Sequence, residues 1–295
     1  MITAAALAGW STEAMLQGLP LPVIPEELTE PAERADYLLA HFWDGFRSRV
    51  IEEGELAEFL SVFPHATEEG RKLGAGKLVA IVGTQGEESM LRMVELIEGY
   101  LLDRRSPVRS DAAYLAFADA MMEAGWPGAE TTAYLREMVM RTPVGAVAPD
   151  FRFISDEGEA LSFRETAAGV RCVLLFHDPD CGECRELIGK MGEDAALAAL
   201  VAAGKLRVVA VRMPGEEENR EGTIGGIPLT RHHLPGGSEG LPEGWISGCA
   251  TEDLGESLYA IPAFPALYLV SPEGRVELKD ASWEEVASVM TRKQN

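Results

Sequence analysis

The sequence has few positive charges for its length. Its 26 Lys and Arg residues stand against 48 Asp and Glu residues, which gives a formal net charge of −22 at pH 7. Nucleic-acid binding needs Lys and Arg clustered against the phosphates, so this balance argues against a nucleic-acid partner. No apolar run reaches the roughly 18 residues that a membrane-spanning helix requires, so we expect no membrane span in this sequence.

Cysteine is also sparse, with 4 residues in a chain of 295. A scaffold held together by disulfides would need many more, so the fold has to rest on hydrophobic cores. A content of 46% hydrophobic and 25% charged residues is typical of a globular protein, and the length is sufficient for two cores. Residues 1–10, MITAAALAGW, are apolar but lack a basic segment and are too short for a complete signal peptide. We therefore expect either a trimmed chain or a mature form whose leader is absent from this sequence.

The first half of the sequence has helical periodicity and no strand-like alternation before residue 150. Prolines at positions 20, 22, 25 and 31 predict an extended lead-in, and Pro31 suits the first position of a helix. The predicted helices cover residues 31–43, 53–64, 67–82, 87–104, 110–124 and 128–141. We predict an all-α domain over residues 1–142. Its aromatic stripe, formed by Tyr37, Phe42, Trp43 and Phe46, should lie in the core rather than in a ligand pocket.

One stretch of the second half combines a strand, a turn, two cysteines and a helix. The apolar run Val170–Phe176, rich in branched residues, predicts a strand buried on both faces. A turn then leads to Cys181-Gly182-Glu183-Cys184, and helical spacing resumes from Arg185 to Met191. The C-x-x-C pair therefore lies where a buried strand gives way to a helix.

This position favours redox chemistry of the two thiols. The free backbone N–H groups and the dipole at a helix N-terminus stabilise a thiolate. We predict that Cys181 is the exposed attacking thiol and that Cys184 is the shielded resolving thiol. Two alternatives stay open at this point: half of a zinc site, which would need a second pair of ligands, and a purely structural disulfide.

The charged neighbours of the two cysteines act in opposite directions. Carboxylates disfavour a thiolate and cations favour it. The carboxylates are Asp178, Asp180, Glu183 and Glu186, and the cations are His177 and Arg185. Four carboxylates without a compensating cluster favour a reductant or an exchange catalyst, because a strong oxidant needs a strongly stabilised thiolate.

The other elements of the second half follow from periodicity and turn signals. We predict a hairpin over residues 150–163, a helix that continues to about Ala202, a strand over 206–213 and a long polar loop over 214–244 that contains His232 and His233. Cys172 should be buried and inert within the central strand, and Cys249 should lie on a loop. Ser282 is expected to cap a final helix.

Three further segments extend a family resemblance that begins with the C-x-x-C stretch. Residues 145–151, GAVAPDF, are similar to the G-x-x-A-P-D-F segment of the TlpA/ResA-like thiol-disulfide oxidoreductases, which have the thioredoxin fold. Residues 260–270, AIPAFPALYLV, resemble the family segment whose proline is cis and faces the disulfide, which implies that Pro265 is cis. Residues 271–276, SPEGRV, are similar to the closing hairpin turn of the family.

Two positions depart from related patterns. Ala266 stands where this family usually has Thr, which removes a hydroxyl and leaves the preceding proline in place. Asp178 stands where a peroxiredoxin has Thr or Ser three residues before its reactive cysteine, so the peroxiredoxin pattern fails. The first half, over IPEELTEPAERADYLLAHFWDGF, is similar to a helical domain of unknown function that precedes thioredoxin-like domains in bacterial envelope proteins.

The resemblance implies an α+β protein in which the helical domain is followed, over residues 143–295, by a thioredoxin-like α/β domain with a central mixed sheet. It makes Cys181 and Cys184 the catalytic residues, and it lines the substrate groove with Pro265, Phe264, Gly182 and Glu183. It implies no metal and no cofactor besides the redox-active disulfide. Its partners are protein thiols and disulfides and an upstream thiol donor, in the periplasm or cell envelope. The alternative is a non-enzymatic protein that binds a partner and uses the thioredoxin domain as a scaffold; the oligomeric state is left open.

Overall fold

The chain divides into two compact units, Met1–Glu137 and Met138–Asn295. The computed structural model describes residues 21–46, 49–126, 128–213 and 241–292. The first unit is helical and the second contains a mixed β-sheet, so the predicted α+β class is confirmed. The units divide within the last helix of the first half, whereas the predicted domain boundary lies after residue 142.

Contacts made by residues 138–142 explain why they belong to the second unit. Val139 is buried, and its carbonyl oxygen accepts a hydrogen bond from the Lys279 ammonium. The Thr142 hydroxyl donates to the carbonyl oxygen of Leu258. The second unit therefore includes a short segment whose sequence pattern is that of the end of a helix.

The first unit consists of helices joined by short turns. Among the described residues its helices are α1 (Pro31–His41), α2 (Glu53–Val62), α3 (Glu68–Gly83), α4 (Glu87–Leu101), α5 (Asp111–Glu123) and α6 (Ala129–Met140), with a 3-10 turn at Phe63–His65. None of the helices described in either unit is both long enough and apolar enough to cross a membrane.

Side-chain caps begin α3 and α5. The Thr67 hydroxyl oxygen accepts a hydrogen bond from the Gly70 N–H at 3.1 Å, and the Ser110 hydroxyl oxygen accepts one from the Ala113 N–H at 3.2 Å. Each cap satisfies a backbone donor that the helix itself leaves unpaired. Pro31 occupies the start of α1, where its missing N–H costs nothing.

Aromatic side chains form the centre of the first unit. Phe59 contacts Phe42, Trp43 and Phe63 with ring centroids 5.0–5.1 Å apart, and Phe63 contacts Phe117 at 4.8 Å. All five side chains are buried. Phe42 and Trp43, in the predicted aromatic stripe, thus contribute to the core.

The second unit is built on one sheet in the order β2-β1-β5-β4-β3-β6-β7. Its strands are β1 (Arg152–Ser155), β2 (Ala160–Ser162), β3 (Arg171–His177), β4 (Leu206–Arg212), β5 (Ile246–Ala250), β6 (Ala266–Val270) and β7 (Val276–Leu278). Strands β1 and β2 pair antiparallel, as the predicted hairpin requires. Strands β3, β4 and β5 are parallel, and β6 runs antiparallel to β3.

Strand β3 lies inside this sheet with both faces covered. Leu174 and Phe176 belong to one hydrophobic cluster and Val173 and Leu175 to the other, and all four side chains are fully buried. The alternation sends successive side chains to opposite faces. This burial on both sides explains the continuous apolar run that predicted the strand.

The helices of the second unit are α7 (Phe163–Ala167), α8 (Gly182–Gly192), α9 (Ala195–Ala202), α10 (Leu254–Ser257) and α11 (Trp283–Arg292). The prediction of a single helix that reaches Ala202 is wrong, because the helix is interrupted between α8 and α9. The Asp194 carboxylate accepts hydrogen bonds from the N–H groups of Ala196 and Leu197 at 2.9 and 3.0 Å and so starts a new helix. Ser282 caps α11 as predicted, in a reciprocal arrangement with Glu285.

One further placement differs from the prediction. Cys249 lies in strand β5 rather than on a loop, paired with Ile154 of β1 and Arg212 of β4, and it is buried. The short sequence of β5, ISGCA, contains a glycine and a serine and so gives a weak strand signal. The predicted polar loop with His232 and His233 lies largely outside the described residues, which resume at residue 241.

Candidate active site

The two cysteines of the C-x-x-C pair lie at the N-terminus of α8. Cys181 is the N-cap residue of that helix, with extended backbone angles, and its Sγ accepts a hydrogen bond from the Cys184 N–H at 3.2 Å. The turn before it is held by Asp178, whose carbonyl oxygen accepts from the Cys181 N–H and whose Oδ1 accepts from the Asp180 N–H at 2.8 Å. The Cys181 sulfur therefore lies at the N-terminus of α8, the end of a helix at which the helix dipole is positive.

The two thiols differ in their exposure to solvent. Cys181 is partly exposed, whereas Cys184 is 1% exposed. Burial raises the pKa of the Cys184 thiol to about 12, an effect that a hydrogen bond from the backbone N–H of Asp178 partly offsets. The first cysteine is therefore the one that a protein-sized partner can reach, and the second is held behind it.

A segment distant in sequence completes the site. The Phe264–Pro265 peptide bond is cis, as the resemblance implies, and the Phe264 carbonyl oxygen lies 3.8 Å from Cys181 Sγ. Pro265 is buried and Phe264 is half-buried. Gly182 and Glu183 lie exposed on the first turn of α8, between the two cysteines. The structure thus brings the candidate residues to one end of the sheet, where β3 ends, α8 begins and β6 is about to start.

His177 and Arg212 are buried polar residues beside this site. They are paired across the parallel strands β3 and β4, at the strand ends next to the C-x-x-C turn, and their exposures are 3% and 9%. Burial, together with the nearby Arg212 charge, lowers the pKa of His177 to about 4. The expectation that His177 acts as a cation beside the thiols is therefore wrong, since the imidazole is neutral near pH 7.

The effect of the Arg185 charge on the thiols stays a prediction. The guanidinium of Arg185 donates a hydrogen bond to the Pro179 carbonyl oxygen at 2.7 Å, which ties it to the turn before the helix. Neither the burial of His177 nor the hydrogen bond of Arg185 can be predicted from the sequence alone. A histidine at the end of an apolar strand is the one signal that could have indicated burial of His177.

The other two cysteines are remote from each other. Cys172 of β3 pairs with Arg207 of β4, whereas Cys249 of β5 pairs with Arg212, so that β4 separates them and their pairing positions differ by five residues. At about 3.3 Å per residue and 4.8 Å per strand this is far beyond the reach of a disulfide. Cys172 is fully buried, and burial raises its pKa to about 12. All four cysteines are free thiols.

A zinc site finds no support in the described geometry. Within the described ranges, no group of three or more His, Cys, Asp or Glu side chains is placed to hold a metal ion. A structural zinc site needs four ligands, and the described residues around Cys181 and Cys184 do not offer a second pair.

Fold and site together define a thioredoxin-like unit that carries a dithiol at a helix N-terminus, preceded by a helical unit. Residues 8–140 match the family described as "Domain of unknown function (DUF5106)", so the chain carries a domain of this family ahead of its thioredoxin-like fold. Among curated proteins, no sequence matches this chain.

Solved structures from Bacteroides resemble the chain. A thioredoxin-like protein from Bacteroides caccae is 22% identical with a TM-score of 0.74, and the match covers 94% of this chain and 99% of that one, which supports the fold. A conserved protein of unknown function from Bacteroides fragilis is 30% identical over 50% of this chain and 98% of that one, with a TM-score of 0.42. The thioredoxin domain of a thiol-disulfide oxidoreductase from Bacteroides vulgatus is 19% identical over 52% of this chain and 99% of that one, with a TM-score of 0.39.

Proposed function

We propose that the protein is a thiol-disulfide oxidoreductase that reduces or exchanges disulfides of other proteins through Cys181 and Cys184. The observation that carries the proposal is the asymmetry of the two thiols. The partly exposed Cys181 sulfur accepts the Cys184 N–H at the N-terminus of α8, and Cys184 is buried behind it. This arrangement suits one thiol for attack on an external disulfide and the other for intramolecular release.

In the proposed cycle the Cys181 thiolate attacks one sulfur of the partner disulfide and releases the other as a thiolate. The Cys184 sulfur then attacks Cys181 Sγ, frees the second partner sulfur and leaves a Cys181–Cys184 disulfide. An upstream thiol donor reduces that disulfide and returns the protein to its starting form. Two electrons thus pass from the donor to the partner, and no metal or organic cofactor takes part.

The substrate groove is proposed to lie between the first turn of α8 and the segment before β6. The carbonyl oxygen of Phe264, 3.8 Å from Cys181 Sγ, is suited to accept a hydrogen bond from an extended partner segment, in the manner of strand addition at a sheet edge. Gly182 and Glu183 flank Cys181 on one side, and Pro265 supports Phe264 on the other. The resemblance to TlpA/ResA-like proteins favours envelope proteins as partners and the periplasm or cell envelope as the location.

Two serine variants test the assigned roles with insulin as the disulfide substrate and dithiothreitol as the donor. The Cys184→Ser variant should keep the attack and accumulate a mixed disulfide, visible on a non-reducing gel. The Cys181→Ser variant should form no adduct and show no turnover. Cys249→Ser is the matched control, because it removes a buried cysteine outside the pair and should retain turnover.

The outcomes separate the possible functions. Adducts formed by Cys181→Ser but not by Cys184→Ser would reverse the two roles. Wild-type protein that shows neither turnover nor adducts with any thiol donor would favour the non-enzymatic alternative, in which the thioredoxin-like unit is a scaffold for binding a partner.

A further inference from the structure

The first unit contains a cavity of about 220 Å³ between α2, the end of α3 and α4. Its inner walls are apolar and buried, and they are formed by Leu56, Leu78, Val82 and Met93. Val50, Ile51 and Leu96 also line the cavity and are more exposed. An apolar cavity of roughly 150 Å³ is large enough to hold benzene, so this one has room for the apolar part of a small ligand.

The polar residues of the lining lie close together at the start of α4. They are Gln85, Glu88, Ser89 and Arg92, of which Glu88 and Arg92 are exposed and the other two are half-buried. The side-chain amide N–H of Gln85 donates to the backbone carbonyl oxygen of Arg49 at 2.8 Å, so the amide oxygen of Gln85 is the atom left to accept from a ligand. The cavity thus combines apolar walls with a small group of polar side chains at one side, as ligand sites do.

Glu88 and Arg92 place opposite charges at this side of the cavity. They lie four residues apart on α4 and therefore on adjacent turns of one face. Within the described ranges, neither side chain makes a hydrogen bond or an ion pair. By contrast, Arg136 of the same unit pairs with Asp119 at 2.6 Å. One carboxylate and one guanidinium are therefore available together to a ligand.

The two charges select the head group of the ligand. A ligand with a carboxylate alone would be attracted by Arg92 and repelled by Glu88, and a ligand with an amine alone would meet the reverse. The head group of an α-amino acid carries both charges on one carbon atom. Its carboxylate can accept from the Arg92 guanidinium and the Ser89 hydroxyl, and its ammonium can donate to the Glu88 carboxylate and the Gln85 amide oxygen.

We propose that this cavity binds a free apolar α-amino acid, with the side chain between Leu56, Leu78 and Val82 and the head group between Glu88 and Arg92. A residue within a peptide lacks both charges, so the free amino acid is the form that the site fits. The inference assigns a ligand to the helical unit and is independent of the proposed thiol chemistry.

The test is isothermal titration calorimetry of the full-length chain with three probes that share a branched apolar tail. They are L-leucine, 4-methylpentanoate, which lacks the amine, and 3-methylbutylamine, which lacks the carboxylate. We expect L-leucine to bind with a Kd of about 0.1 mM and each single-charge probe to bind at least about tenfold more weakly, because each loses one pair of charge-assisted hydrogen bonds.

Two charge variants test the assigned contacts. Arg92→Gln and Glu88→Gln should each weaken L-leucine binding about tenfold. Each variant should also tighten the probe that the removed charge repelled, which is 3-methylbutylamine for Arg92→Gln and 4-methylpentanoate for Glu88→Gln. The matched control is Glu95→Gln, which removes an exposed carboxylate of α4 outside the lining and should leave all three affinities unchanged. Cys181→Ser should bind L-leucine as wild type does.

The position of the site is tested by Leu96→Trp, which fills part of the cavity from α4 and should abolish L-leucine binding. Retained binding in this variant would place the site elsewhere, and if the variant fails to fold, the charge variants decide. The proposal is overturned if wild type does not bind L-leucine at about 10 mM, or if all three probes bind equally well. It is also overturned if L-leucine binds Arg92→Gln and Glu88→Gln as tightly as wild type, since Glu88 and Arg92 would then play no part in recognition.

Discussion

The reactivity order of the four cysteines is a direct consequence of their burial. The perturbation is alkylation of the reduced, folded protein with iodoacetamide. The thiolate is the reactive species, so the rate at each sulfur scales with its thiolate fraction and its accessibility. Cys181 is the partly exposed sulfur, whereas Cys172, Cys184 and Cys249 are buried.

The size of the difference follows from the pKa of the buried thiols. With a pKa of about 12, Cys184 and Cys172 have a thiolate fraction of about one in ten thousand at pH 8. A free thiol in water, with a pKa near 8.5, is about one quarter ionised at the same pH. The thiolate fraction alone therefore slows the buried sulfurs by about three orders of magnitude relative to such a thiol, before steric protection adds to the effect.

The assay is mass spectrometry of peptides from samples quenched over time. We expect Cys181 to be labelled first and the buried cysteines much later. Between pH 8 and 10 the labelling of Cys184 should accelerate about tenfold per pH unit, as long as the protein stays folded. In the control, iodoacetamide should alkylate all four cysteines of the urea-unfolded protein at similar rates.

Two results would refute this reasoning. Labelling of Cys184 as fast as Cys181 at pH 8 would show that the second thiol is not shielded. Early labelling of Cys172 would contradict its place inside strand β3.

Three other predictions concern stability. The folded-state pKa of His177 (about 4) lies below its ordinary value of 6.5, so the free energy of unfolding should fall as the pH falls from 6.5 towards 4, by about 3 kcal/mol at most. Urea unfolding should show a smaller loss over this pH range in His177→Phe than in wild type. The same loss in both proteins would contradict the burial of His177. Gly248→Ala should destabilise the protein by more than about 2 kcal/mol, because the new Cβ would lie 2.2 Å from the Ile154 carbonyl oxygen. The control Gly189→Ala in α8 has open space around its Cβ and should stabilise the protein slightly. Similar melting temperatures for the two variants would refute the β1–β5 register. A fragment of residues 138–295 should unfold cooperatively and keep the thiol reactivity, and a fragment that is unfolded while the full chain is stable would show that the two units share one core.

The sequence by itself determined the elements whose signals are local. The apolar run of β3, the turn at Asp178 and the helix after Cys181 are all encoded within about twenty consecutive residues. The N-caps Thr67, Ser110 and Ser282 are local signals too, because the capping oxygen and the N–H that it satisfies lie three residues apart. Asp194 is a signal of the same kind, but the apolar stretch after it resembles a continuation of α8 and hides the break between the two helices.

Only the tertiary structure decided the features that depend on distant segments. The position of the Phe264 carbonyl oxygen beside Cys181 follows from the pairing of β6 with β3, which joins residues more than eighty positions apart. The neutral state of His177 depends on burial and on Arg212 of the next strand, and the strand conformation of Cys249 depends on its neighbours β1 and β4. A residue type and its spacing specify what a side chain can do chemically, but desolvation and neighbouring charges arise only when the sheet is assembled, and these set the ionisation of the groups around the two thiols.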